Sequence, residues 1–192
     1  MNKNEKKEIV CLMKSCAKEE GYKSVSDSFY RMYENGLHII HYVVTQKGFT
    51  CYSWIKEDKL DDILWDVLDM PENKNHSYSI HINGAFSAPS VLVDKYFYEE
   101  ADSYEQMVKS LWKIIVNDVA LFMNNNSVEK IVFSKDNPTT DEKILKCLLY
   151  IKKGEMQEAV GLANNELAKG NKGKFSNEGS FFYERIVRKY GS

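Results

Sequence analysis

The chain has 192 residues, of which 28% are charged and 43% are hydrophobic, and its formal net charge is −2. This composition is typical of one folded domain and excludes a disordered chain, and it provides no overall basic field for nucleic acid or an anionic membrane. The N-terminal segment lacks the apolar core of a signal peptide, and no run reaches the roughly 20 apolar residues of a membrane span. The four cysteines form no CxxC pair. We therefore expect a reduced, cytoplasmic protein.

A first amphipathic helix is predicted over residues 4–20. Asn2 and Glu5 have the spacing of a capping box, and Gly21 is a natural residue for ending a helix. Between them, five residues recur at helical spacing: Ile9, Val10, Met13, Cys16 and Ala17.

The central stretch from Phe29 to Lys56 predicts three antiparallel strands. Asn35-Gly36 is a strong signal for a tight hairpin turn, and Lys47-Gly48 provides a weaker second one. Two-residue loops would place His41 opposite Tyr30 and Trp54. Because side chains alternate along a strand, one face would carry Tyr30, Met32, Ile39, His41, Val43, Tyr52 and Trp54. The other face would carry Phe29, Arg31, Tyr33, Ile40, Tyr42, Val44, Cys51 and Ile55.

The segment after these strands predicts a short helix and two more strands. Asp58 can cap a helix with an apolar stripe that begins at Leu60 and ends before Pro71. Ser77 to Asn83 alternates between polar and apolar residues, which predicts a strand with one buried face, and Val91 to Tyr98 predicts a fifth strand.

The remaining sequence predicts mainly helices. A long helix follows the capping pair Asp102 and Glu105, whereas residues 127–137 suit either a short strand or an apolar strap. From Pro138 onward, Thr139 with Glu142 and then Gly154 mark a helical hairpin, and a last helix begins near Phe181.

This order predicts the α+β class. We expect a mostly antiparallel sheet of about five strands: a helix, a three-strand meander, a helix, two strands and a long helix. The sheet domain would comprise residues 1–137, with a C-terminal helical appendage over residues 138–192 packed on it as one structural unit.

Several short segments carry a resemblance to an uncharacterised bacterial domain-of-unknown-function family. They are Gly21-Tyr22-Lys23, Phe29-Tyr30-Arg31, Gln46, Asp61-Asp62-Ile63-Leu64-Trp65 and Asn83-Gly84-Ala85-Phe86. The resemblance spans roughly the first two-thirds of the chain and implies a fold but no reaction. The element order is also similar to that of the type III secretion chaperones, which bind extended polypeptide, although this is a similarity of topology alone.

Motifs for catalysis, metals and cofactors are missing from the sequence. There is no GxSxG, GxxxxGK[ST] or GxGxxG, and packing explains all four cysteines. His38 and His41 would lie on opposite strand faces, so they cannot chelate one ion, and His41 could meet His81 only if their strands were neighbours. Asp61-Asp62 is interpreted as solvated charge at a helix N-terminus. We expect no cofactor and no metal, and we lean against an enzyme. The basic segment containing Lys172, Lys174, Phe175, Arg185, Arg188 and Lys189 suggests at most weak contact with nucleic acid, which we do not expect as a partner.

The aromatic face of the meander is the candidate site. Its residues are Tyr30, His41, Tyr52 and Trp54, and aromatic side chains with few charges are typical of interaction surfaces. The competing interpretation is a core cluster beneath a helix, with His41 bonded to a tyrosine hydroxyl. The leading hypothesis is a non-enzymatic module that binds a protein or peptide partner on this face. The alternatives are a small-molecule-binding or hydrolytic protein with a pocket around His41, and a structural homo-oligomer.

Overall fold

The computed structural model describes residues 1–34, 36–99 and 102–191, and it confirms the α+β class with a five-stranded antiparallel sheet. In chain order, the elements are α1 (Lys3–Glu19), β1 (Lys23–Val25), β2 (Ser28–Tyr33), β3 (Gly36–Val44), β4 (Phe49–Glu57), α2 (Leu60–Val67), a 3-10 helix (Pro71–Asn75), α3 (Tyr78–Asn83), β5 (Val91–Tyr98), α4 (Tyr104–Asn125), α5 (Val128–Phe133), α6 (Thr140–Lys153), α7 (Met156–Ala168), β6 (Ser176–Asn177), β7 (Ser180–Phe181) and α8 (Phe182–Tyr190).

The chain forms two compact units. The first comprises residues 1–56 and 90–127, and the second comprises residues 57–89 and 128–192. This division differs from the expected boundary at residue 137, because α2 packs on α6 and α8 and so belongs with the C-terminal helices.

Local sequence signals fix the ends of several helices as predicted. Asn2 and Glu5 form a reciprocal capping box at the start of α1, and Thr139 and Glu142 do the same for α6. Gly154 ends α6 in the left-handed conformation, with φ of 79°. Helix α4 is capped by the Ser103 hydroxyl, whereas we had predicted a cap by Asp102.

The first unit contains the sheet, whose strands follow one another in the order β1-β2-β3-β4-β5. One face packs against α1 and α4 and forms a core of 15 buried residues, including Phe29, Ile40, Phe49 and Cys51. The covered face is therefore the one predicted to carry Phe29, Ile40, Tyr42 and Cys51.

The predicted strand register is wrong by two residues. Tyr30 lies opposite Ile39, and His41 lies opposite Ser28 instead of Tyr30, because Tyr33 already pairs with Gly36. The predicted turn residue Asn35 is outside the described residues, and Gly36 lies within β3. The next hairpin also closes earlier than predicted, since the Thr45 N–H donates to the Gly48 carbonyl at 2.9 Å. A slip of two residues preserves the face of each side chain, so the predicted sorting between β2 and β3 survives.

Two other local predictions are wrong. Ser77 to Asn83 is not a strand: residues 78–83 form helix α3, which buries Ile82 but leaves Tyr78 42% exposed. An alternation over only seven residues does not distinguish a strand from a short helix. The sheet still has five strands, because β1 forms in the stretch that the sequence analysis assigns to the connection between the first helix and the meander. Residues 128–133 form α5, which is neither the strand nor the strap that we considered.

The second unit is a helical assembly in which α6, α7 and α8 pack in succession. The buried Arg185 guanidinium ties α8 to the preceding hairpin through the carbonyls of Asn177 and Ser180, and it also pairs with Asp69. The loop before the last helix is therefore anchored within this unit.

Candidate functional site

The sheet has a second face, opposite the core, which we call the open face. It consists of the strand residues that alternate with the buried Phe29, Ile40 and Cys51 and with Tyr96, which packs against the core. From β1 to β5 its members are Lys23, Val25, Ser28, Tyr30, Met32, Leu37, Ile39, His41, Val43, Thr50, Tyr52, Trp54, Lys56, Leu92, Lys95 and Phe97.

The four residues singled out from the sequence all lie on the open face but differ in exposure. Tyr30 is buried, whereas His41, Tyr52 and Trp54 are half-buried. The rings of Tyr52 and Trp54 stack with centroids 6.4 Å apart, and the Lys95 ammonium lies 5.4 Å from the Tyr52 centroid. The structure therefore brings Tyr52 and Trp54 together as one aromatic surface.

His41 is held by a serine. Its Nδ1 and the Ser28 hydroxyl are 2.6 Å apart, and Ser28 itself is buried. Burial, and then the nearby Lys56 charge, lower the pKa of His41 below its usual value. The imidazole is consequently neutral at physiological pH.

Four large apolar side chains on the open face are 42–54% exposed: Met32, Val43, Leu92 and Phe97. Leu92 lies opposite Trp54, and Phe97 lies opposite Thr50, so β5 extends the aromatic surface to the edge of the sheet. Leu92 and Phe97 were not among the predicted site residues. The signal that could have identified them is the position of β5 beside β4, which the sequence alone did not provide.

A different histidine of the sheet, His38, forms a buried polar network. His38 bonds to the Tyr22 hydroxyl through Nδ1 at 2.6 Å and to the Ser53 hydroxyl through Nε2 at 2.8 Å. A serine beside an imidazole can act as a nucleophile, but both Ser53 and His38 are completely buried. Burial, with a smaller effect of the Arg31 charge, lowers the pKa of His38 to about 3. The network therefore holds the strands together.

In the second unit, His81 pairs with a carboxylate. Its Nδ1 lies 2.8 Å from Asp61, whose other oxygen accepts the Ala88 N–H at 2.6 Å. The interpretation of Asp61 as a solvated charge is wrong, since this residue is 4% exposed. Because residues 78–83 form a helix, His81 does not lie on a strand beside His41.

Within the described parts of the chain, no group of three or more His, Cys, Asp or Glu side chains could hold a metal ion.

The basic C-terminal segment is largely neutralised within the second unit. Lys172 pairs with Glu184 and Lys174 pairs with Asp141. Arg185 and Lys189 both contact Asp69. These ion pairs leave little positive charge for a polyanion.

Two of the segments behind the family resemblance, residues 61–65 and 83–86, meet at one place in the second unit. The Trp65 indole N–H donates to the Phe86 carbonyl at 2.7 Å, and Asp61 holds the Ala88 N–H, so both motifs stabilise the loop after α3. The chain matches no family model, no curated protein and no solved structure. The resemblance therefore stays a prediction.

No described helix has the length and apolar character needed to cross a membrane.

Proposed function

We propose that the chain is a non-enzymatic binding module whose open face holds a protein or peptide partner. The supporting observation is the set of four large apolar side chains that protrude from this face, of which Leu92 and Phe97 lie on β5, directly beside the strand that carries the stacked Tyr52 and Trp54. Grouped apolar exposure of this kind marks interaction surfaces on folded proteins. The four free cysteines agree with action in a reducing, cytoplasmic environment.

The energetics support a modest but specific affinity. Complete burial of a phenylalanine side chain contributes roughly 1.5–3 kcal/mol, and Phe97 is 54% exposed, so covering it contributes about 1 kcal/mol. Several such side chains arranged around Tyr52 and Trp54 suffice for a peptide partner, because a few aromatic anchors dominate most interfaces.

The outer edge of β5 is less suited to binding than the face. The ladder between β4 and β5 shifts register between Ser53 and Trp54, and Lys95 stands in the middle of β5. Bulges and lysines are common devices against strand addition at a sheet edge. We therefore assign the partner to the face.

Selection of a random peptide display library on the immobilised chain tests this proposal. Phe97→Ala should weaken the selected peptides about fivefold, which corresponds to the lost contact energy. Leu121→Ala is the matched control, because Leu121 is 51% exposed on α4, which covers the other side of the sheet. Equal affinities for both variants and the wild type would contradict the proposal.

The two alternatives can be tested with the same material. A pocket around His41 has one supporting observation, the Ser28 hydroxyl within hydrogen-bond distance. It requires a small molecule whose thermal shift is lost in His41→Ala. A homo-oligomer requires light scattering to show a dimer whose dissociation is promoted by Phe97→Ala.

A further inference from the structure

We infer that the partner segment is acidic, with carboxylates interleaved among apolar side chains. This inference rests on the proposed function, and it adds the chemistry of the partner. It follows from the charges of the open face. The exposed apolar side chains alone do not determine the charge of a partner.

The open face carries charge of only one sign. Strand alternation assigns Lys23, Lys56 and Lys95 to it, of which Lys23 and Lys95 are exposed, and among the described residues it assigns no aspartate or glutamate. The whole chain has slightly more acidic than basic residues, 28 against 26, so this segregation does not reflect composition.

The two outer lysines are available to a partner. Lys23 and Lys95 are exposed, and no carboxylate of the described residues lies within ion-pair distance of either. Most other lysines of the described chain that approach aromatic rings also pair with acids; Lys172 and Lys174 are examples. Lys95, by contrast, is held over the Tyr52 ring. A carboxylate that reached Lys95 would therefore lie directly beside the aromatic surface.

A surface whose exposed charges are all positive repels basic segments as well as attracting acidic ones, which gives selectivity.

A single-stranded nucleic acid also combines negative charge with flat rings. The open face favours a peptide, because three of its four protruding apolar residues are the aliphatic Met32, Val43 and Leu92, and aliphatic side chains do not stack on bases. A nucleic-acid groove also follows the phosphate backbone with a row of cations. Among its described residues, the open face has only two exposed lysines, and they lie on β1 and β5, the two outer strands of the sheet.

The test uses eight-residue peptides, the length of β5, in which leucine and phenylalanine alternate with glutamate, glutamine or lysine. Fluorescence anisotropy measures the affinity of each peptide for the full chain. We expect the glutamate peptide to bind tightest, and Lys95→Glu to weaken it about three- to tenfold while strengthening the lysine peptide. Raising the salt from about 0.1 M to about 1 M should reduce the difference between the peptides.

Lys113→Glu is the matched control, since it makes the same change of charge at an exposed position of α4. If the three peptides bind equally and Phe97→Ala weakens all of them, the acidic preference is overturned and the proposed function stands. If neither these peptides nor library-selected peptides depend on Phe97, the proposed function itself fails. Binding of a poly-uridine oligonucleotide that is lost in Phe97→Ala and exceeds the glutamate peptide would also overturn the acidic-peptide assignment.

Discussion

Replacing His38 by glutamine should remove a large part of the acid sensitivity of the first unit. His38 is completely buried between Tyr22 and Ser53, and its burial lowers the pKa from 6.5 to about 3. The folded protein therefore keeps this imidazole neutral at pH values where the unfolded chain protonates it. Because the unfolded state binds the extra proton, the stabilisation is complete above about pH 6.5 and decreases as the pH falls toward 3.

The size of the effect follows from the pKa difference. Each pKa unit corresponds to about 1.4 kcal/mol, so at pH 4 His38 should reduce the free energy of unfolding by about 3 kcal/mol relative to pH 7. His38→Gln abolishes this dependence. At pH 7 the variant should itself be about 1–3 kcal/mol less stable, because glutamine cannot reproduce both hydrogen bonds.

Urea unfolding at several pH values, followed by tryptophan fluorescence, measures the difference. The curves of free energy against pH for the wild type and His38→Gln should converge as the pH falls from 7 to 4. The control is His76→Gln, which changes an exposed histidine after the 3-10 helix and should leave the wild-type slope unchanged. Parallel curves for the wild type and His38→Gln would refute the account of a buried neutral imidazole.

Two pairs of substitutions test local packing by thermal or urea unfolding. Gly48→Ala should lower the free energy of unfolding by about 1–3 kcal/mol because the added Cβ would meet the Tyr98 carbonyl. Gly161→Ala, inside α7 with open space around it, should raise the free energy of unfolding by about 0.5–1 kcal/mol. Arg185→Lys should lower the free energy of unfolding by about 2–4 kcal/mol, because an ammonium cannot reach all the acceptors of the buried guanidinium. Its control, Arg188→Lys on the exposed side of α8, should change the free energy of unfolding by less than about 0.5 kcal/mol. Equal stability within either pair would contradict the packing described.

The sequence was most informative where a local signal acts alone. Helix starts at Asn2 and Thr139 and the stop at Gly154 depend on a few neighbouring residues, and the structure confirms them. The strand Val91–Tyr98 was also predicted with its exact bounds. These features need no information about the rest of the chain.

The errors arose where tertiary packing decides. Residues 78–83 are too short for their alternation to fix a strand, and the Trp65 and Asp61 contacts to the following loop stabilise a helix there instead. The hairpin register depends on whether Tyr33 pairs with Gly36, which turn residues alone do not specify. The burial of His38 with Ser53 likewise requires residues from two strands whose relative register was wrong in the prediction.

For the candidate site, the sequence indicated an aromatic face but not its extent. Tyr52 and Trp54 were identified because they alternate on one strand, and a slip of two residues does not change their face. Leu92, Lys95 and Phe97 join them only because β5 pairs with β4. The charge of the face, and with it the inferred acidity of the partner, depends on that pairing.

The central claim is that the open face binds a partner, and NMR titration of the isotope-labelled chain with a library-selected peptide tests it most directly. We expect chemical-shift changes for the Trp54 indole and for Tyr52, Leu92 and Phe97, and no chemical-shift changes for Leu121 and the rest of α4. Shifts confined to α4 or to the second unit, with the Trp54 indole unchanged, would contradict it.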